Sequence, residues 1–194
     1  MKAFIVYCHP SDDSFTRHLK DEFIRGIVDS GNEFEISDLY KMGFKTDMSE
    51  AEYLREAYYI DDGDVEQDVL DEQRKVNACD AIAFIYPVFW TEAPAKLVGW
   101  FDRVWTYGFA YGDGKTMRAP SRALFLCVSG HTRDDLVLFG NLQSMENVMI
   151  RDRLFERADR AEMHVFDGMT REYESRKANW DRHLKTAYEL GRSL

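Results

Sequence analysis

Three short segments carry the residues equipped for chemistry. The first runs Cys8-His9-Pro10-Ser11-Asp12-Asp13-Ser14-Phe15-Thr16, directly ahead of a stretch with helical spacing. Ser11, Ser14 and Thr16 place hydroxyls at a helix start, where the first backbone N–H groups lack intrahelical acceptors and the dipole favours an anion such as phosphate. His9 could add a donor, while Asp12 and Asp13 oppose an anion unless they turn away. The segment has no glycine, so it is neither a Walker loop nor a dinucleotide fingerprint. Ser14 acting as a plain N-cap explains the same residues equally well.

The second segment, Pro87-Val88-Phe89-Trp90-Thr91-Glu92, sets two large aromatics side by side after an apolar run. Phe89 and Trp90 suit either the wall of a flat-ring site or ordinary core packing. The third, Val128-Ser129-Gly130-His131-Thr132, has a glycine that allows close backbone approach to a ligand. His131 could serve as a general acid or base, although a polar loop residue is the simpler reading. His18, His164 and His183 fall within helical or strand patterns and read as structural. No cluster has metal-ligand spacing, and no Gly-x-Ser-x-Gly elbow is present.

The elements around these segments follow from periodicity. Lys2 to Tyr7 reads as a strand, and Phe15, Leu19, Phe23 and Ile27 mark one face of a helix capped by Ser14 and stopped at Ser30-Gly31-Asn32. Glu33 to Asp38 alternates, which predicts a half-exposed edge strand. A short helix opens at Ser49, Asp61-Asp62-Gly63-Asp64 breaks it, and a second helix runs from Val65 to Asn77; the acidic character of this insert reads as a solvated surface. Ala81 to Tyr86 is apolar without alternation, a strand buried on both faces, and Pro87 is expected to end it. Pro94 opens a helix that buries Leu97, Phe101 and Val104. Arg122 to Val128 is the next buried strand. Leu142, Met145, Met149 and Phe155 mark a helix, Glu162 to Asp167 a last strand, and Thr170 to Leu194 a terminal helix with Trp180, Leu184 and Tyr188 on one face.

This alternation predicts a single doubly wound α/β domain over residues 1–194. A five-stranded parallel sheet in the order 2-1-3-4-5 suits it, with a switch point between strands one and three. The three segments then meet outside the carboxyl ends of the strands, where open α/β sheets bind ligands. Formal net charge is -10, which disfavours nucleic acid or an anionic membrane surface as partner. No stretch is long and apolar enough to span a bilayer, and no signal peptide is expected. Cys8, Cys79 and Cys127 are odd in number and widely spaced, as expected of reduced thiols in a cytoplasmic protein.

Taken together, the three segments resemble the NAD(P)H quinone reductase family of flavodoxin-like flavoproteins. That family includes the DT-diaphorase type, the modulator of drug activity B type and the flavin-bearing ancillary subunits of glutathione-gated potassium efflux systems. The resemblance covers nearly the whole chain. It is carried by Tyr86-Pro87-Val88-Phe89-Trp90, by Pro94-Ala95-Lys96-Leu97-Val98-Gly99-Trp100-Phe101-Asp102-Arg103-Val104, and by Gly108-Phe109-Ala110-Tyr111-Gly112. It implies a flavin, FMN or FAD, with His9, Ser14, Phe15 and Thr16 as the phosphate loop. Pro87, Val88, Phe89, Trp90 and Thr91 would hold the isoalloxazine edge, with the amides of Phe89 to Thr91 supporting the reduced ring, and Ser129 and Gly130 would form the third flavin loop.

The resemblance also implies NAD(P)H as donor, a quinone-type acceptor and ping-pong, two-electron hydride transfer. Trp90, Phe109 and Tyr111 would line the acceptor pocket, the last two reaching it from the partner in a homodimer. The chain departs from the family at Val128-Ser129-Gly130-His131, where Thr-Thr-Gly-Gly is common. The tyrosine and histidine that follow in DT-diaphorase have no clear counterpart. The chain also lacks the long C-terminal extension of DT-diaphorase and so is more similar to compact bacterial members. An alternative function from the same family is a regulatory flavoprotein subunit of a potassium efflux transporter. An electron carrier like flavodoxin is a third, against which the aromatics after Gly108 argue.

Overall fold

The computed structural model describes residues 1–61 and 63–194. Strands β1 (Lys2–Tyr7), β2 (Glu33–Asp38), β3 (Ala81–Pro87), β4 (Arg122–Val128) and β5 (Ala161–Phe166) form one all-parallel sheet in the order 2-1-3-4-5. Every residue of β3 is buried, because helices cover both faces of the central strands. β2 lies at an edge, as its alternation predicts, and only Ser37 is buried there.

Pro87 corrects one boundary. It is the last residue of β3, paired with Val128, rather than the first residue beyond the strand. Parallel strands send successive N–H groups to opposite neighbours. Ile85 O accepts from Cys8 N–H towards β1, and Val88 N–H donates to Val128 O towards β4. The missing donor of Pro87 therefore faces the β1 side, beyond the end of that strand, where no ladder bond is lost.

Helices α1 (Phe15–Asp29), α2 (Glu50–Ala57), α3 (Gln67–Ala78), α4 (Ala95–Val104), α5 (Arg133–Leu138), α6 (Asn141–Glu146) and α7 (Ser175–Arg192) complete the fold. Ala3, Ile5 and Tyr7 face α1 and α7, whereas Phe4, Val6 and Phe84 face α3, α4 and α6. The expected buried positions of α1 and α4 are buried. α7 begins at Ser175 rather than Thr170, and its deepest residues are His183, Ala187 and Gly191 rather than the expected Trp180, Leu184 and Tyr188.

The helix expected over Leu142 to Phe155 is instead α6 followed by a π-helical stretch, Asn147–Leu154. The wider π turn moves the buried position after Met149 to Leu154 and leaves Phe155 exposed. In the acidic breaker Asp61-Asp62-Gly63-Asp64, Asp62 lies outside the described residues.

The acidic insert is also less solvated than its composition implies. Glu72 is buried and accepts from Ser37 Oγ at 2.8 Å and Trp100 Nε1 at 2.8 Å, beside Lys75 Nζ at 2.6 Å. Arg103 of α4, also buried, binds Glu52 at 2.7 Å and Asp68 at 2.6 Å. These carboxylates hold the insert onto α4, and paired charge is the only inexpensive way to bury charge there.

Candidate functional site

The carboxyl ends of β1, β3 and β4 open onto a cavity of about 630 Å³. It is lined by His9, Ser14, Phe15 and Thr16 from the first loop, by Pro87, Val88 and Phe89 from the second, and by Val128 and Gly130 from the third. Ser129, Trp90 and Thr91 adjoin these residues in sequence but do not line it, and His131 stands exposed outside it.

The first loop is built as an anion cradle. Ser14 caps α1, its Oγ accepting from Arg17 N–H at 3.1 Å. Phe15 and Thr16 open the helix, and their N–H groups find no acceptor among the described residues. His9 Nδ1 lies 3.0 Å from the N–H and 2.9 Å from the carbonyl oxygen of Ser11, contacts that fix the ring in place whichever nitrogen carries the proton. Burial pushes the His9 pKa down and keeps the ring neutral near pH 7. Asp12 is drawn to Lys41 at 3.1 Å, and that bond holds its carboxyl below the usual range; Asp13 remains on the cavity wall.

The second loop is a four-residue hairpin. Phe89 N–H donates to Glu92 O at 2.8 Å, and Glu92 N–H returns to Phe89 O at 2.9 Å. The Phe89 amide is therefore committed to the hairpin, which removes one of the three amides expected to serve a ring. Trp90 and Thr91 both have positive φ, 52° and 71°, the geometry that tight hairpins usually give to Asn-Gly. The outcome is an indole 99% exposed, with Phe89 45% exposed beside it. Arg153 pins the hairpin by binding Glu92 at 2.9 Å.

In the third loop, what approaches Gly130 is Thr170, whose hydroxyl donates to Gly130 O at 3.0 Å. A Cβ on Gly130 would meet that hydroxyl at 2.6 Å, so the glycine locks this loop to the one after β5. Ser129 is buried, and its Oγ accepts from His131 N–H at 3.2 Å.

Within one chain the remaining expected pocket residues are dispersed. Trp90 lines a neighbouring hollow of about 490 Å³ with Pro94, Val98 and Asp102, and Phe89 borders both cavities. Phe109 is only 6% exposed and packs against Trp105. Tyr111 lines a separate hollow of about 450 Å³ with Trp105, Arg153 and Arg157. Its hydroxyl donates to Glu56 at 2.6 Å, and burial together with this carboxylate pushes the phenol pKa well up, so it stays protonated.

Four lining residues escaped the sequence reading: Met169, Arg171, Arg176 and Trp180. They follow β5, whose carboxyl end lies on the same edge of the sheet as the other three loops. That rule of position was the available signal. Trp180 meets Phe15 edge-on, with ring centroids 4.7 Å apart, and so brings α7 to the start of α1.

This site lies in a fold with known relatives. A family model described as flavodoxin-like fold matches residues 1–189. The NAD(P)H:quinone oxidoreductase from Methanothermobacter marburgensis superposes with a TM-score of 0.93 at 38% identity, covering 100% of this chain and 96% of that one. Among curated sequences, the ribosyldihydronicotinamide dehydrogenase-like protein traD of Penicillium crustosum is 34% identical over 59% of this chain and 48% of its own length. The NAD(P)H dehydrogenase [quinone] 1 of Rattus norvegicus is 32% identical over 57% and 45%. The chain thus spans about half the length of the curated relatives it matches.

Proposed function

Because this chain belongs to the NAD(P)H quinone reductase family of the flavodoxin-like fold, we propose that it is a flavin-dependent NAD(P)H oxidoreductase reducing quinones or related acceptors. The observation that carries this reading is the cavity, whose lining joins the anion donors of the first loop to the backbone and aromatic side chain of the second. FMN and FAD share that chemistry, a flat ring on a phosphate-bearing tail. The free N–H groups of Phe15 and Thr16 and the ring of His9 suit the tail, and Val88 and Phe89 suit the ring, so the residues present fit the group. A bound flavin supplies two-electron chemistry, accepting a hydride from NAD(P)H and reducing a quinone.

The chain's own residues bind, orient and exclude water. His9, Ser14, Phe15 and Thr16 hold the phosphate, with Ser14 keeping the helix start in register. Pro87, Val88 and Phe89, which line the cavity, hold the ring edge, and Trp90 and Thr91 flank it as the tip of the hairpin. Gly130 completes the third side, and Ser129, buried behind it, braces that loop through His131 N–H. His131 is given no proton-transfer role, since it stands outside the cavity. Trp90, exposed in one chain, walls the acceptor pocket together with Tyr111 of a second copy, in a homodimer. Phe109, buried in its own chain, supports the turn that presents Tyr111. Residues 1–194 act as one flavin-binding domain. A cytoplasmic location is supported by the three thiols, all buried and free, with burial raising their pKa values to about 12, 11 and 12 for Cys8, Cys79 and Cys127. Among the described residues, no helix is long and apolar enough to cross a membrane.

No observation favours the potassium-efflux alternative. The deciding experiment is identification of the flavin released from purified protein, with NADH and NADPH oxidation assayed against a quinone. Failure to bind FMN or FAD on reconstitution would overturn the reading.

A further inference from the structure

Tyr111 closes a tight turn that begins at Tyr107. Gly108 N–H donates to Tyr111 O at 2.9 Å, and the two tyrosine rings meet edge-on with centroids 5.7 Å apart. Glu56, from α2 in the acidic insert, ties both ends of that turn. Its Oε2 accepts from Tyr107 N–H at 2.9 Å and faces the Tyr111 hydroxyl at 2.6 Å. Its Oε1 accepts from Arg55 Nε at 3.0 Å. A backbone N–H and a guanidinium can only donate, so the carboxylate serves as acceptor at both oxygens. The direction of the remaining bond follows: the phenol O–H donates to Glu56, a short bond of the charge-assisted kind.

A phenol has one O–H and two lone pairs. In Tyr111 the O–H is committed to Glu56, while the ring lines the hollow it shares with Trp105, Arg153 and Arg157. Those two arginines are themselves engaged, Arg153 with Glu92 and Arg157 with Ala110 O. Among the described residues, no donor bonds to the Tyr111 oxygen. A free tyrosine hydroxyl rotates and serves as donor or acceptor as its ligand requires; this one offers lone pairs alone. We propose that Glu56 is a positioning residue which fixes the polarity of Tyr111, so that the pocket prefers quinones bearing an N–H or O–H group over quinones that offer only carbonyl oxygens. This rests on the reading that places Tyr111 in the acceptor pocket. A plain quinone brings its own lone pairs against those of the phenol, whereas an amino substituent meets them with a donor.

The test uses the flavin-loaded protein and two naphthoquinones of nearly equal size, one methyl-substituted and one amino-substituted. KM for each is measured at fixed NAD(P)H in the native protein, Tyr111→Phe, Glu56→Gln and the double variant. Comparing the ratio of the two KM values between variants cancels the different redox potentials of the quinones. Tyr111→Phe should shift that ratio against the amino quinone by about threefold to tenfold, the worth of one hydrogen bond. Glu56→Gln should shift it the same way, because an amide cannot accept at both ends and the released hydroxyl can donate to a carbonyl. The double variant should match Tyr111→Phe, since Glu56 acts through the phenol alone. A ratio unchanged in Tyr111→Phe overturns the proposal, and so does a shift in favour of the amino quinone, which would mean that the phenol donates. Tyr111→Phe keeps the ring and decides this even where Glu56→Gln does not fold. A further shift in the double variant would mean that Glu56 acts by shape, which also overturns it. Native protein that holds flavin but reduces neither quinone overturns the reading of the function and the proposal with it.

Discussion

Trp90 and Thr91 occupy left-handed backbone positions that cost a non-glycine residue about 1–3 kcal/mol each. Trp90 recovers none of this by burial in its own chain, being 99% exposed. The strain is therefore maintained by the hairpin bonds and by the Arg153 anchor at Glu92. Trp90→Gly should leave the denaturation midpoint of the unloaded protein unchanged or raise its stability by about 1 kcal/mol. The same variant should raise the KM for quinone. A clear loss of stability would mean that the indole is packed. A second consequence concerns the histidines. Burial lowers the pKa values of His9, His164 and His183, in the last two cases despite Glu162 and Asp167 nearby. The folded state thus disfavours their protonation, and the unfolded chain binds more protons in the window below the ordinary value of about 6.5. Stability present above that value should be lost as pH falls below it. The thermal midpoint should decline between about pH 6.5 and 5.5, above the range where carboxylates titrate. A midpoint flat across this interval would contradict the burial of these rings.

At the scale of elements, the α1–α7 crossing decides whether the cavity is complete. The helices meet through two glycines. A Cβ on Gly26 would run into the Tyr188 backbone, and one on Gly191 into that of Phe23. Gly26→Ala should destabilise the protein by about 1–3 kcal/mol or more, since the obstacle is backbone and not a movable side chain. Urea denaturation measures this. The variant should also bind flavin more weakly, because α7 carries Trp180 and Arg176 into the site. Full flavin affinity in a destabilised Gly26→Ala would separate the crossing from the site. The acidic insert makes a related point. Its hydrogen-bonded carboxylates Glu52, Glu72 and Asp68 dock it onto α4, and Glu56 then reaches both Tyr107 N–H at 2.9 Å and the Tyr111 hydroxyl.

For the whole molecule, the exposed apolar side chains are the main unsolved burial. Trp90, Leu138, Phe139 and Phe155 are all exposed large apolar side chains. On the proposed function, a two-fold dimer would cover the indole of Trp90 and build two identical pockets. On the proposed function, donor and acceptor use one face of the cofactor in turn, so initial-rate plots for NAD(P)H against quinone should be parallel. Intersecting lines would mean that both substrates bind at once. Sedimentation at assay concentration should show a dimer, and a fully active monomer would place the whole pocket in one chain. Tyr111→Ala should raise the quinone KM while leaving flavin content nearly intact. Lost flavin with unchanged quinone kinetics per bound flavin would place Tyr111 on the other side of the ring.

The buried central strands and the start of α1 were legible in the sequence, because they depend on local periodicity and on cap and proline chemistry, and the strand order followed from the βα alternation of the whole chain. Ala81 to Tyr86 could only be a strand covered on both faces, and Ser14 stood where the helix had to begin. The long likeness around Tyr86 to Gly112 likewise needed no coordinates. The tertiary structure decided what depends on residues far apart in the chain. The cavity's fourth wall, from Met169 to Trp180, reaches the first loop only through the contact of Trp180 with Phe15. The π-helical turn that buries Leu154 in place of Phe155 follows from packing and from no repeat in the sequence. The buried carboxylates of the insert resemble solvated ones in composition, and only the position of Arg103 distinguishes them. Periodicity reports which face of an element is apolar. Which charge meets which, and which loop closes a cavity, is set by the crossing of elements in space.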